Sequence, residues 1–140
     1  MTDDLATSLL DGQEIRGLMD RYCLALFNAD AELLLSLYWP DAVEEHGEYR
    51  GTAAGFAAHF MPILRARIGT VATVSYRSID FTSPTEAVAF GFGHIVTVAC
   101  PANDAKTALV ATHYRDELQK RGGEWRIVRR KADMLVKRAI

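Results

Sequence analysis

Near residue 69 the hydrophobic pattern of this chain changes period, and that change limits its fold more than any other feature. Before it, apolar side chains return every three to four residues, as on one face of a helix. After it they alternate, as on a strand with two unlike faces. Ile15, Leu18, Met19, Tyr22, Cys23, Leu26 and Phe27 predict a helix over about residues 13–28. Asp11 and Glu14 give it a capping-box start, which leaves residues 1–10 as a flexible N-terminus. Asp30 is placed to cap a second, short helix through Leu33, Leu34, Leu37 and Tyr38, and Pro40 stops it. Residues 42–48 read as a short acidic edge strand closed by a turn at Tyr49, Arg50 and Gly51. A third helix follows over residues 52–68, with Phe56, Phe60 and Leu64 four apart, and Pro62 is expected to kink or split it.

Four long strands follow, over residues 70–81, 87–100, 106–120 and 124–137. The turn signals Ser83-Pro84-Thr85, Pro101-Ala102-Asn103-Asp104 and Arg121-Gly122-Gly123 separate them. Such short connections make neighbours antiparallel. Strands of this length bend at bulges, with Gly91 and Gly93 as bend points. Helices first and strands afterwards define an α+β domain, a cone in which N-terminal helices pack on a strongly bent, mostly antiparallel sheet around one pocket.

With 140 residues, 49% of them apolar, the chain has enough for one core, so residues 11–140 are read as a single domain. Sixteen basic against eighteen acidic residues give no cationic surface for nucleic acid. The one basic cluster, around Arg126, Arg129, Arg130, Lys131, Lys137 and Arg138, lies in an alternating segment and reads as a solvated strand face. No apolar run approaches the roughly 20 residues that cross a bilayer. Two cysteines and no secretory leader point to a reduced, cytoplasmic protein. Apolar residues on both faces of the long strands, such as Leu109 with Val110 and Ile127 with Val128, predict that the outer sheet face is covered too, by a second copy in a homodimer.

The stretch Glu14-Ile15-Arg16-Gly17-Leu18-Met19-Asp20-Arg21-Tyr22, then Asp30, Leu37-Tyr38-Trp39-Pro40-Asp41-Ala42, His46-Gly47 and Gly51 form a pattern. Tyr114-Arg115-Asp116 and Gly123-Glu124-Trp125-Arg126-Ile127 extend it along nearly the whole chain. This resembles the SnoaL-like branch of the nuclear transport factor 2-like superfamily, which includes ketosteroid isomerases, scytalone dehydratase, polyketide cyclases and non-catalytic proteins. The dehydratase-type Asp/His dyad implied by the resemblance falls on Phe27 and Ala72, neither of which can accept a proton. The isomerase-type pattern carries over better, with a hydrogen-bond donor at Tyr22, the proton shuttle at His46 and a later donor at Tyr114.

Histidine is the side chain whose unperturbed pKa, about 6.5, suits it to take and give a proton near neutrality. At His46 two roles are open, a proton shuttle or an edge-strand residue beside a glycine turn, and only Glu44 of the adjacent acids shares its strand face. Tyr22 and Tyr114 read either as donors to a developing oxyanion or as core phenols. Phe27, Trp39, Phe56, Phe60, Ala72, Phe92 and His113 are the expected pocket lining. His113 is an alternative partner to His46, because alternation sends it and Tyr114 to opposite faces. His94 reads as a core residue, and Arg21 with Asp41 as a structural ion pair. No spacing suits a metal, a phosphate loop or a nucleophile elbow. Two functions follow as expectations. The first is a cofactor-independent isomerase, cyclase or dehydratase acting on a small apolar oxygenated substrate such as a polycyclic ketone, terpenoid or polyketide. The other is a non-catalytic small-molecule-binding domain that has lost the dyad.

Overall fold

The computed structural model of the chain describes residues 2–98, 102 and 106–140. Three helices, α1 (Thr2–Asn28), α2 (Ala31–Ser36) and α3 (Ala53–Arg65), accompany strands β1 (Tyr38–His46), β2 (Tyr49–Thr52), β3 (Gly69–Ser83), β4 (Glu86–Val98), β5 (Ala108–Arg121) and β6 (Glu124–Ala139). The described strands form one sheet in the order β2-β1-β6-β5-β4-β3. All neighbours are antiparallel except β1 and β6. Most of the turn expected at residues 101–104, together with Cys100, falls outside the described residues.

The core forms where the helical stripe meets the sheet. Ile15, Leu18, Met19, Tyr22, Ala25 and Leu26 of α1 are all at most 1% exposed, and each fully buried Leu or Ile contributes roughly 1.5–3 kcal/mol. The helix begins at Thr2 rather than near Gln13. Asp11 and Glu14 are therefore inside it and serve the sheet instead of a cap. Lys120 Nζ donates to Asp11 at 3.0 Å, and Glu14 Oε1 accepts from the Trp125 amide at 3.0 Å. Asp30 caps α2 through the Leu33 amide at 3.0 Å. Thr52 caps α3, which runs through Pro62 to Arg65 as one element.

The first strand differs from the sequence expectation in a way that matters for the site. It starts at Tyr38 and has partners on both sides, β2 and β6, so β2 is the edge and β1 is interior. Tyr49, Arg50 and Gly51, expected as a turn, form that edge strand together with Thr52. The reversal itself falls on Gly47 and Glu48, with Gly47 at φ +61°, a conformation that a side chain would strain.

Irregular register bends the sheet. One shift lies between Tyr76 and Ser78 of β3, opposite Gly91. A Cβ added at Gly91 or Gly93 would collide with the backbone of β3 at Ser75 or Thr73, so the two strands approach as closely as they do because these positions are glycine. A second shift pairs Leu118 with Ile127 but Glu117 with Arg129, skipping Val128. One extra residue reverses the parity of everything after it. Trp125 and Ile127 face the core before the bulge; Arg130 and Ala132 face it afterwards.

Candidate functional site

Residues in register across β1, β6 and β5 define the centre of the cone. His46 lies beside Ala132, and Ala132 beside Tyr114. The small side chain of Ala132 lets the imidazole and the phenol face each other, with ring centroids 6.1 Å apart. From α3, Phe56 stacks on His46 at 4.5 Å and 20°, and Phe60 stands at 5.9 Å. Alternation along β1 puts Glu44 on the same face, and its Oε1 lies 3.0 Å from His46 Nδ1. A carboxylate can only accept, so this contact calls for a proton on Nδ1 and holds the ring in its orientation.

Tyr22 comes from α1 and meets Tyr114 hydroxyl to hydroxyl at 3.1 Å, with the rings edge-on. Beneath the pair lies Arg130, 0% exposed, its guanidinium 4.7 Å from the Tyr22 ring and 4.5 Å from the Tyr114 ring. Asp116 anchors it through two hydrogen bonds, Nε to Oδ1 at 2.8 Å and Nη2 to Oδ2 at 2.7 Å, and the Tyr76 hydroxyl also donates to this carboxylate. Nη2 further meets the Met19 sulfur at 3.2 Å. Three buried atoms near this cluster have no hydrogen-bond partner among the described residues: Arg130 Nη1, the Tyr38 hydroxyl and Glu44 Oε2. Glu44 and Arg130 are direct neighbours across β1 and β6.

Burial sets the protonation of the phenols. It pushes Tyr22, Tyr38 and Tyr76 well above the usual tyrosine value, and Tyr114 up to about 12, against the opposing pull of the Arg130 charge. Burial also works against the guanidinium, but Asp116 and the surrounding phenols outweigh it and hold Arg130 cationic. The site therefore holds a pair of protonated phenols, one hydroxyl donating to the other and one proton left over, above a fixed positive charge and close to the His46 ring. A developing oxyanion would be stabilised there in surroundings that exclude water.

Of the residues singled out in the sequence, the structure brings His46, Tyr22, Tyr114, Phe56 and Phe60 together, with Glu44 as the partner of His46. Trp39 is elsewhere. Its Nε1 donates to the Gln119 carbonyl at 2.8 Å and its ring lies between Arg121 and Arg126. Phe92 is 50% exposed under Arg77 on the outer face. His113 is outside as well, stacked on Phe90 and 3.9 Å from Asp133, as alternation required once Tyr114 faced in. His94 is exposed rather than core, because odd-numbered residues of β4 take the inner face. Phe27 and Ala72 line a separate groove of about 480 Å³ between α1 and β3, together with Cys23, Asp20 and Arg77. Phe27 itself is 62% exposed. Asp41 pairs with Arg121 at 2.8 and 3.1 Å, not with Arg21.

Neither the α1/β3 groove nor a second cleft of about 390 Å³ is lined by His46, Tyr22 or Tyr114. At the centre of the cone Phe56 stacks on His46, and Arg130 lies against the rings of Tyr22 and Tyr114. Arg130 is the site residue that the sequence reading missed. A signal existed in β5, where Tyr114, Asp116 and Leu118 share one parity, so an inward Asp116 demanded a buried cation.

Helices laid on an open, bent six-stranded sheet, with polar groups converging inside, define an α+β cone of the nuclear transport factor 2-like type. The SnoaL-like domain model matches residues 7–131, and the chain belongs to that family. Solved structures agree on the fold. A scytalone dehydratase candidate from Novosphingobium aromaticivorans DSM 12444 superposes with a TM-score of 0.85 at 22% identity, covering 100% of this chain and 92% of its own. A hexachlorocyclohexane dehydrochlorinase from Novosphingobium barchaimii LL02 gives 0.82 at 16% identity, with 96% and 93% covered. A superfamily protein from Salmonella enterica serovar Typhimurium LT2 gives 0.76 at 19% identity, with 91% and 93% covered. No curated protein sequence matches the chain. No helix among the described residues is long and apolar enough to cross a membrane.

Proposed function

We propose that this protein is a cofactor-independent proton-transfer enzyme, an isomerase, cyclase or dehydratase acting on a small apolar oxygenated molecule such as a polycyclic ketone, terpenoid or polyketide. The reading rests on one observation: a histidine oriented by a carboxylate faces a pair of protonated phenols across Ala132. In this reading His46 Nε2 removes a proton from carbon next to a carbonyl or hydroxyl. The Tyr22–Tyr114 pair gives its one outward proton to the oxygen that gains charge, the second hydroxyl supporting the first, Arg130 lowers the cost of that charge from below, and the proton returns from the imidazolium to another carbon or to a leaving hydroxyl. The aromatic walls Phe56 and Phe60 suit a flat apolar skeleton. The resemblance puts Phe27 and Ala72 at the Asp/His dyad positions, and neither accepts a proton, which argues against dehydration or dehydrochlorination by that dyad.

The test is incubation with a panel of small cyclic ketones and their alcohols in heavy water. Deuterium appearing at carbon, or a rearranged or dehydrated product, is the expected result. Ligands that bind and are recovered undeuterated and unchanged would instead favour a non-catalytic binding domain. The full burial of Tyr22 and Tyr114 is the observation on that side.

Two further features belong to this reading. A cytoplasmic location suits Cys23, a free thiol that burial pushes up in pKa and that donates to the Val74 carbonyl at 3.6 Å. A homodimer would cover the outer sheet face, where Phe92 and Val98 are 50% and 37% exposed. Sedimentation at micromolar concentration should give twice the 15.5 kDa chain mass, and a single-chain mass would count against it.

A further inference from the structure

Strand β6 presents Arg130, Ala132 and Met134 in turn to the inside of the cone. The first two are buried, whereas Met134 is 40% exposed. It is the last inward residue before the register shift that pairs Thr112 with Met134 but Ala111 with Val136. The Met134 methyl lies over Gly47, where an added Cβ would collide with it. The Gly47 amide in turn donates to the Ala132 carbonyl at 3.2 Å. Met134 therefore rests on the backbone that immediately follows His46.

The other approaches to His46 are occupied. Phe56 covers one ring face, Tyr114 and Phe60 stand around it, and Glu44 takes Nδ1. The imidazole keeps 9% of its side-chain surface open. Thr112, across the ladder from Met134, is 1% exposed, and its hydroxyl has no hydrogen-bond partner among the described residues. A buried hydroxyl without a partner is destabilising, and a ligand oxygen arriving beside Met134 would supply the partner.

We propose that Met134 controls passage to His46 and so helps to select what reaches it. Its unbranched thioether has three rotatable bonds and no rigid packing on the solvent side, so it swings aside at little cost. A flat apolar molecule slides in over Gly47 with its ring against Phe60, and the Thr112 hydroxyl meets one of its oxygens. Substrate selection rests on the proposed reaction at His46; the access route does not.

Carbethoxylation by diethyl pyrocarbonate, followed residue by residue with peptide mass spectrometry, measures access without requiring any catalysis. Met134→Ala should speed modification of His46 about tenfold, as expected when a closed state is destabilised against an open one. Met134→Phe should slow it. His59, His94 and His113 lie outside the chamber and should keep their rates, which reports that the fold is intact. An unchanged His46 rate in both variants overturns the proposal. If Met134→Ala speeds all four histidines, unfolding is responsible and the Met134→Phe result decides. Faster His46 modification in Met134→Ala, together with a wild type that exchanges no deuterium, would keep the access route and discard the enzymatic reading.

Discussion

Asp116→Ala is expected to cost about 3–5 kcal/mol of folding stability, the range seen when one member of a buried ion pair is removed. Asp116 and Arg130 are both 0% exposed, so the truncation leaves a guanidinium in the core with no water to replace the two lost hydrogen bonds. The Tyr76 hydroxyl loses its acceptor at the same time. Against a typical total of roughly 5–15 kcal/mol, that loss is a large fraction. Urea unfolding should show a markedly lower midpoint with an unchanged slope. The double replacement Asp116→Leu with Arg130→Met should recover most of the loss, because an apolar pair of similar volume needs no compensation. It should not recover activity, since the charge under Tyr22 and Tyr114 is gone. A single-variant loss below about 1 kcal/mol, the range of exposed ion pairs, would mean that solvent reaches the pair and that the core is open.

How far the sequence anticipated this molecule depends on how local each determinant is. The Asp30 cap, the α1 stripe and the hairpin turns at Ser83-Pro84-Thr85 and Arg121-Gly122-Gly123 were legible because each is decided within a few residues. The pairing of β1 with β6 was not, because it joins residues more than eighty positions apart and nothing in residues 38–46 names that partner. Arg130 was misread for a related reason. In a basic, alternating segment it takes the solvent parity, and only the bulge at Val128 turns it inward. The family resemblance named His46, Tyr22 and Tyr114 together, and the structure brings the three side chains together. Trp39, Phe92 and His113 lie away from the other site residues, because parity on β4 and β5 and the irregular register of β1 send them outward.

His46→Ala is expected to lower turnover by roughly 10²- to 10⁴-fold, the usual consequence of losing a general base. The phenols, Arg130 and the aromatic walls stay in place, so substrate binding should change far less than the chemical step. Glu44→Gln should have a smaller effect, because it keeps a side chain able to accept from Nδ1–H and so to orient the ring. Tyr22→Phe removes one oxyanion donor and, by analogy with such donors elsewhere, should cost about 10²- to 10³-fold. The central claim is that proton transfer to and from carbon occurs at the His46 ring. Deuterium exchange into a ketone in heavy water, run side by side on the wild type and His46→Ala with and without added free imidazole, tests it most directly. The account predicts exchange that collapses in the variant and partly returns with imidazole. Equal exchange rates in the two proteins would contradict it.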